Sequence, residues 1–329
     1  MPPRYSLFAR ARVLALVFSA SVLAVAAITN PAWPQARTIR LINPFPAGGT
    51  GDIISRLVAD QIGRTRGVTV VIDNRPGGGT VIGTEIAARA PPDGNTLALF
   101  TPALVINPHL RKQNYNALTS FEPICNLVQS PQLLAVNAMS PYRTMADLMA
   151  SARAKPGELT LASTGPATQS QIGFERVKSV AHVPMTYVPF PGNAPTVNAV
   201  LGGHVTAGIA NYSDLAGHFN SGTLRPLATL TPRRIEPLPE LPTAAEGGYR
   251  EFEYELWFGM FAPARTPKER IAQLTDWFTE ALKVPEVREK LTMQGLYPVG
   301  TCGVDFAHLI RTQFEDYGRV IREANIKGE

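Results

Sequence analysis

The stretch Thr38-Ile39-Arg40-Leu41-Ile42-Asn43-Pro44-Phe45-Pro46-Ala47-Gly48-Gly49-Thr50-Gly51-Asp52 decides the fold. Its first six residues read as an apolar strand. A loop rich in glycine and proline follows. Residues 52–62 then carry Ile53, Ile54, Leu57, Val58, Gln61 and Ile62 at helical spacing. The same alternation continues downstream. Residues 68–73 read as a second strand, 81–90 as a helix stopped by Pro91-Pro92, and Thr96–Phe100 as a third strand after the turn Pro92-Asp93-Gly94. Strand, helix and strand in this order predict a mostly parallel, doubly wound sheet. Strands are then expected at 133–136, 159–162, 185–188, 205–210 and 227–230, with helices at 145–153, 169–178, 194–201 and 214–221 between them. The C-terminal stretch is mostly helical, with Pro267 at a helix start, Pro285, and a helix over 305–324. No fixed-period repeat occurs, which excludes a solenoid.

A chain of 329 residues is too long for one ordinary core and suits two domains. Its N-terminus reads differently from the rest. Arg4, Arg10 and Arg12 stand without an acid before an unbroken apolar and small-residue run over 13–27, and Ala24-Val25-Ala26 offers a cleavage pattern. The run of about 15 residues falls short of the ~20 that a spanning helix needs. Residues 1–36 are therefore read as a signal peptide cleaved between 26 and 36. No cysteine lies nearby for a lipid anchor, and Arg10 and Arg12 are not adjacent as the twin-arginine route requires. Taking the leader's three arginines from the 31 basic residues leaves 28 against 26 acids, a net +2, with no basic run to bind nucleic acid. Export makes a disulfide chemically accessible to Cys125 and Cys302, but the plainer expectation is two buried free thiols.

Several chemistries have no motif here. There is no H-E-x-x-H, C-x-x-C, G-x-S-x-G or Walker loop, and the five histidines have no ligand spacing. Neither a metal nor a cofactor is expected. Gly77-Gly78-Gly79 with Gly83 follows a strand, as in a relaxed dinucleotide fingerprint, but the next strand ends Leu99-Phe100-Thr101 without the acid that would take the ribose. A nucleotide-dependent enzyme is the weaker alternative.

Three polar loops at strand ends remain. Phe45, Pro46, Ala47, Gly48, Gly49 and Thr50 lead into a helix, where close backbone N–H groups and the helix dipole favour an anion. The competing reading is a tight turn with Asp52 as N-cap. Ser163, Thr164, Gly165 and Thr168 take the corresponding place in the second half, alternatively as a helix start capped by Thr168. Phe190, Gly192, Asn193 and Ala194 form the third loop, and Trp257 would serve either as an apolar wall or as core. Donor-rich loops at strand ends of two α/β halves predict a ligand in the cleft between them.

The opening stretch resembles the signature of the tripartite tricarboxylate transporter receptors, the Bug family. Similar segments follow in order: Asp73-Asn74-Arg75-Pro76-Gly77-Gly78-Gly79, Pro92-Asp93-Gly94-Asn95-Thr96-Leu97, Val188-Pro189-Phe190, Leu201-Gly202-Gly203-His204-Val205, Gly222-Thr223-Leu224-Arg225-Pro226-Leu227-Ala228, Leu241-Pro242-Thr243-Ala244-Ala245-Glu246-Gly247-Gly248, and Trp257-Phe258-Gly259 with Ala262-Pro263. The resemblance implies a type II periplasmic-binding (Venus flytrap) fold of two α/β domains, 37–130 plus 255–329 and 131–254. It implies a monomeric periplasmic receptor, not an enzyme. Such a receptor would bind a small organic carboxylate for a membrane transporter or, alternatively, a sensor kinase. The ligand residues it implies are those of the three loops including Asp52, with Thr101, Asn211 and Trp257. Two positions depart from the family pattern. Phe190-Pro191-Gly192 stands where Tyr-Lys-Gly is frequent, and Ala210 stands where an acid often precedes Asn211. The first removes a cation for a second carboxylate, and the second removes a partner for an ammonium group.

Overall fold

The computed structural model describes residues 38–165 and 168–326, so the signal peptide read at 1–36 lies outside it. The chain runs β1 (Thr38–Asn43), α1 (Thr50–Arg66), β2 (Thr69–Asn74), α2 (Val81–Ala88), β3 (Thr96–Phe100), α3 (Ala103–Leu110) and β4 (Phe121–Ser130). It continues through β5 (Gln132–Asn137), α4 (Met145–Ala154), β6 (Thr160–Thr164), α5 (Gln169–Val180), β7 (Thr186–Phe190), α6 (Asn193–Leu201), β8 (Ala207–Asn211), α7 (Tyr212–Asn220) and β9 (Leu224–Thr229). It closes with β10 (Leu256–Pro263), α8 (Lys268–Lys283), α9 (Pro285–Met293), β11 (Tyr297–Cys302) and α10 (Val304–Glu323).

These strands form two sheets. Sheet one has the order β11-β4-β10-β3-β1-β2, and sheet two the order β7-β6-β8-β5-β9. The chain passes from one sheet to the other at Pro131, between β4 and β5, and returns between β9 and β10. Both sheets are mixed, which corrects the expectation of mostly parallel ones. In sheet one β1 pairs parallel with β2 and β3, while β10 runs antiparallel to β3 and β4, and β11 antiparallel to β4. In sheet two β6 pairs parallel with β7 and β8, while β5 runs antiparallel to β8 and β9. The cause is geometric. A strand arriving from the other sheet starts at the edge facing that sheet and runs away from it. A strand inside a strand–helix–strand unit ends at that edge. β10 and β5 are the arriving strands, and each sits between two strands of opposite direction.

The core of sheet one has two faces. Ile39 and Leu41 of β1 meet Ile54, Val58 and Ile62 of α1 on one side. Ile42, Phe100, Trp257, Phe261 and Phe306 fill the other. Full burial of such side chains contributes about 1.5–3 kcal/mol each. Gly259 is required here, because a Cβ would lie 2.3 Å from the Phe306 ring. Sheet two is more aliphatic. Leu134, Val136, Leu148, Met149, Leu161 and Ile209 cluster on one face, and Leu133, Ala162, Val197, Val200 and Leu215 on the other.

Sequence periodicity misses α3, β4, β10 and β11. Pro123, Asn126 and Gln129 interrupt the apolar pattern of β4, and β10 is apolar on both faces, so neither alternates. The two cysteines are also corrected from free thiols. Cys302 of β11 is the direct cross-strand neighbour of Cys125 in β4, and the two form a disulfide across a sequence separation of 177.

Candidate functional site

Because β1, β2 and β3 are parallel, the loops after them emerge at one edge of sheet one. The loops after β6, β7 and β8 emerge at one edge of sheet two for the same reason. The two edges face each other. Asn211, the last residue of β8, directs its Nδ2 to Thr50 Oγ1 at 3.5 Å, and Thr50 is the first residue of α1.

The β1–α1 loop is built around one carboxylate. Gly49, not Asp52, is the N-cap of α1, and Asp52 is the third helical residue. Asp52 Oδ2 accepts the Gly48 N–H at 2.9 Å and Arg56 Nε at 2.8 Å, and Oδ1 accepts Asn74 Nδ2 at 3.1 Å. Asn74 Nδ2 also donates to Phe45 O at 3.1 Å. Asp52 is only 3% exposed. Burial opposes its ionisation, but the bonds from Arg56, Gly48 and Asn74 outweigh burial and hold its pKa below the ordinary carboxylate value. Its oxygens are occupied by the protein, so it shapes the loop from behind. Gly51 lets the Phe45 ring close over the helix start, since a Cβ there would lie 2.5 Å from that ring. Pro46, Ala47 and Gly48 are exposed; the Gly49, Asp52 and Ile53 N–H groups close the turn on Pro46 O and Gly49 O, which leaves those of Thr50 and Gly51 at the start of α1. The loop therefore offers donors to an anion.

Neutral groups build most of the facing edge, and one carboxyl, that of Asp214, joins them at the third loop. Thr168 is the N-cap of α5: Oγ1 accepts from Gln171 N at 3.4 Å and donates to Thr164 O at 3.0 Å. Gly165 N–H donates to Phe190 O at 2.7 Å, tying this loop to β7. Tyr187 donates its hydroxyl to Gly165 O at 3.2 Å, and burial pushes its pKa up to about 12. Ser163 is fully buried and gives its hydroxyl to Ile209 O at 3.3 Å. Residues 166–167 of the motif lie outside the described residues. In the third loop Gly192 caps α6 with φ 137°, Asn193 donates Nδ2 to Asp214 Oδ2 at 2.7 Å, and Phe190 is half-buried beside an exposed Ala194. Burial raises the Asp214 pKa against the opposing bonds from Asn193 and Ser213.

Of the other sequence-derived residues, Thr101 follows β3 at the same edge as the β1–α1 loop, whereas Trp257 falls elsewhere. Trp257 is 1% exposed, stacks edge-on to Phe306 at 5.5 Å and donates Nε1 to Gln313 Oε1 at 2.7 Å. It belongs to the core of sheet one and not to an exposed wall, because β10 is central and covered on both faces. Thr101 is buried at the end of β3, where its carbonyl accepts the Leu104 N–H of α3. The glycine loop at 77–79 is held by its carbonyls: Arg111 donates to Gly78 O at 2.8 Å and Asn107 to Gly79 O at 3.0 Å. No group of His, Cys, Asp and Glu among the described residues is arranged to hold a metal.

The model of the tripartite tricarboxylate transporter family receptor matches residues 54–326. The chain belongs to this receptor family. The BugT protein of Bordetella pertussis is 32% identical over 321 residues, covering 96% of this chain and 98% of BugT. Among solved structures, the periplasmic binding protein BugD is 28% identical with TM-score 0.80, covering 89% of this chain and 99% of BugD. An R. palustris protein solved with adipate is 31% identical with TM-score 0.82, covering 90% of this chain and all of that one. The receptor family consists of two-domain solute-binding proteins and not of enzymes.

Gln169, which follows Thr168 at the end of the second loop motif, bonds across to sheet one, while Gln132 and Tyr254, which sequence reasoning passes over, bond to each other within the half built on sheet two. Gln169 Nε2 donates to Glu255 O at 2.8 Å and to Tyr317 Oη at 2.5 Å, joining α5 to sheet one and α10. Gln132 and Tyr254, at the two chain crossings, share a bond of 2.6 Å. Gln132 follows a proline and looks like a strand boundary, and Tyr254 lies outside any periodic segment. No one-dimensional signal marks either as the partner of the other.

Proposed function

We propose that this receptor captures a small organic carboxylate between the β1–α1 loop and the edge of sheet two, in the periplasm, for delivery to a tripartite tricarboxylate-type transporter. The observation that carries the proposal is the facing of two donor-rich edges, joined at Asn211 and Thr50. The candidate loops at 45–50, 163–168 and 190–194 contain no lysine or arginine. Backbone N–H groups, hydroxyls and an amide supply the complement to an anion. The adipate found with one family member is of the same chemical class.

We further propose a domain division at 37–130 with 255–329 against 131–254, closure about the two chain crossings on binding, and action as a monomer. Phe45–Thr50, Thr101, the described residues of 163–168, Phe190, Gly192–Ala194 and Asn211 are the proposed contact set. A thermal-shift screen tests the reading with mono-, di- and tricarboxylates, aromatic acids, acidic amino acids, sugars and nucleotides. Ligand at about 1,000 times its Kd adds roughly 4 kcal/mol to the bound state. A rise confined to one class of acids supports the proposal. A rise with sugars or nucleotides alone refutes it.

A further inference from the structure

Asn211 meets the proposed ligand edge with an amide, and an amide has two faces of opposite polarity. Which face it presents decides whether an anion is welcomed. Gln132 settles this. It is the direct cross-strand partner of Asn211, at the start of β5, and only 6% exposed. Its Nε2 donates to Asn211 Oδ1 at 2.9 Å. Its Oε1 accepts the Tyr254 hydroxyl at 2.6 Å and the Ser170 hydroxyl at 3.0 Å. With Oδ1 taken, Asn211 turns its Nδ2 toward Thr50 and the facing loop. An amide nitrogen carries two hydrogens, so one N–H remains for a ligand beyond the one directed at Thr50.

The reverse arrangement is disfavoured at the far end of this chain. Ser170 is buried and Tyr254 half-buried, and burial drives the Tyr254 pKa far above its ordinary value, so its proton stays in place. If the Gln132 amide were turned over, Oε1 would face Asn211 and Nε2 would face the two hydroxyls. At least one buried hydroxyl proton would lose its acceptor, which is the costly case for a buried polar group. Asn211 would then show Oδ1 to the cleft, and an acceptor there repels a carboxylate.

We propose that Gln132 is a positioning residue that fixes the polarity of Asn211 and so commits the edge of sheet two to anionic ligands. The assignment rests on the carboxylate reading above and deepens it. Selectivity for anions on this side then comes from a relay of neutral groups that begins where the chain crosses between the sheets.

Gln132→Glu reverses one end of the relay. The ionised side chain still accepts from Tyr254 and Ser170, but it offers Asn211 an acceptor in place of a donor. Asn211 turns Nδ2 inward and Oδ1 outward. Protonation restores the original polarity, because a neutral carboxyl donates O–H to Asn211 Oδ1. Burial raises a glutamate pKa, to about 8–9 in the extreme, whereas at least one carboxyl of each small acid stays ionised down to about pH 4–5, and any later ionisation of the ligand acts alike on wild type and variant. Nearby Tyr254, Tyr187 and Tyr317 stay neutral in this range, and any response of Glu255 is read from the wild-type protein.

The test is calorimetric titration of the full chain with adipate, malate, glutarate and citrate at pH 8.5 and pH 6. We expect Gln132→Glu to bind the preferred acid at least tenfold more weakly than wild type at pH 8.5 and to recover most of the loss at pH 6. Gln132→Met, which can neither donate nor accept, should bind severalfold more weakly at both pH values. An affinity of Gln132→Glu within twofold of wild type at pH 8.5 and again at about pH 10, above the highest pKa that burial gives a glutamate, or an equal loss at pH 8.5 and pH 6, overturns the positioning role and leaves the carboxylate reading standing. If Gln132→Glu does not fold, wild-type affinity in Gln132→Met overturns it. If the wild-type chain binds none of these four acids and no acid of the thermal-shift panel, the carboxylate reading fails and this inference fails with it.

Discussion

The two edges of the candidate cleft perform the same task with different chemistry. The β1–α1 loop is organised by an ionised, buried Asp52 that gathers Gly48, Arg56 and Asn74. The edge of sheet two is organised mostly by neutral groups, Thr168 as cap, Tyr187 on Gly165 and Gln132 on Asn211, with the Asp214 carboxyl holding Asn193 at the third loop. The sheets behind them differ in a similar way. Sheet one carries the disulfide and a packed set of aromatic rings, whereas sheet two packs mainly aliphatic side chains, with Phe174, Tyr249 and Phe252 on one face, and has no cysteine in its strands. Reduction and acid should therefore act first on one half of the molecule.

The largest expected effect is that of the disulfide. Closing a loop of this length is worth about 5 kcal/mol in the chain-entropy account, as a ceiling. The double variant Cys125→Ser with Cys302→Ser should lower the melting temperature by several degrees and speed amide exchange in β4, β10 and β11. An equal change across sheet two would break the comparison. Trp257→Ala comes next, at about 3–5 kcal/mol for an aromatic core deletion. Its signature is a lower denaturant midpoint without a new ligand preference, and a switch in preference would return Trp257 to the cleft.

Asp52→Ala leaves the Gly48 N–H without its acceptor and takes one of two from Asn74, which keeps Phe45 O, and should cost about 1–3 kcal/mol. It also sharpens the comparison through pH. A carboxyl with a depressed folded-state pKa gives its full stabilisation above its unfolded value of about 3.9, and that stabilisation is lost as pH falls through the lower folded value. Wild-type protein should show this acid-side loss and Asp52→Ala should lack that component, as measured by denaturant melts from pH 6 to pH 2. The smallest effect is that of Thr168→Ala, a lost helix cap worth about 1 kcal/mol. It should be independent of pH over this range, since only neutral groups are involved.

Much of this was legible in one dimension, for identifiable reasons. β1 and β3 fall on the expected residues because each is a short apolar run bounded by turn residues. The helices α1, α4, α5 and α10 show their apolar spacing plainly, and Thr144 with Asp147 closes a capping box at the start of α4. What escaped was the non-local part. β10 enters sheet one against the direction of β3, and nothing within Leu256–Pro263 reports direction. The pairing of Cys125 with Cys302 depends on β4 and β11 being neighbours, and neither strand alternates cleanly. Gln132 and Asn211 acquire their roles only as cross-strand partners. The loops themselves were readable because glycine, hydroxyl residues and helix starts cluster in sequence.

Backbone amide chemical shifts, followed by NMR while a binding carboxylate is titrated into the protein, test the central claim most directly. The account predicts the largest changes at Gly48, Gly49 and Thr50 and, in the same titration, at Thr164, Gly165 and Asn211. Changes confined to one sheet, or centred on the glycine loop at 77–83, would contradict it.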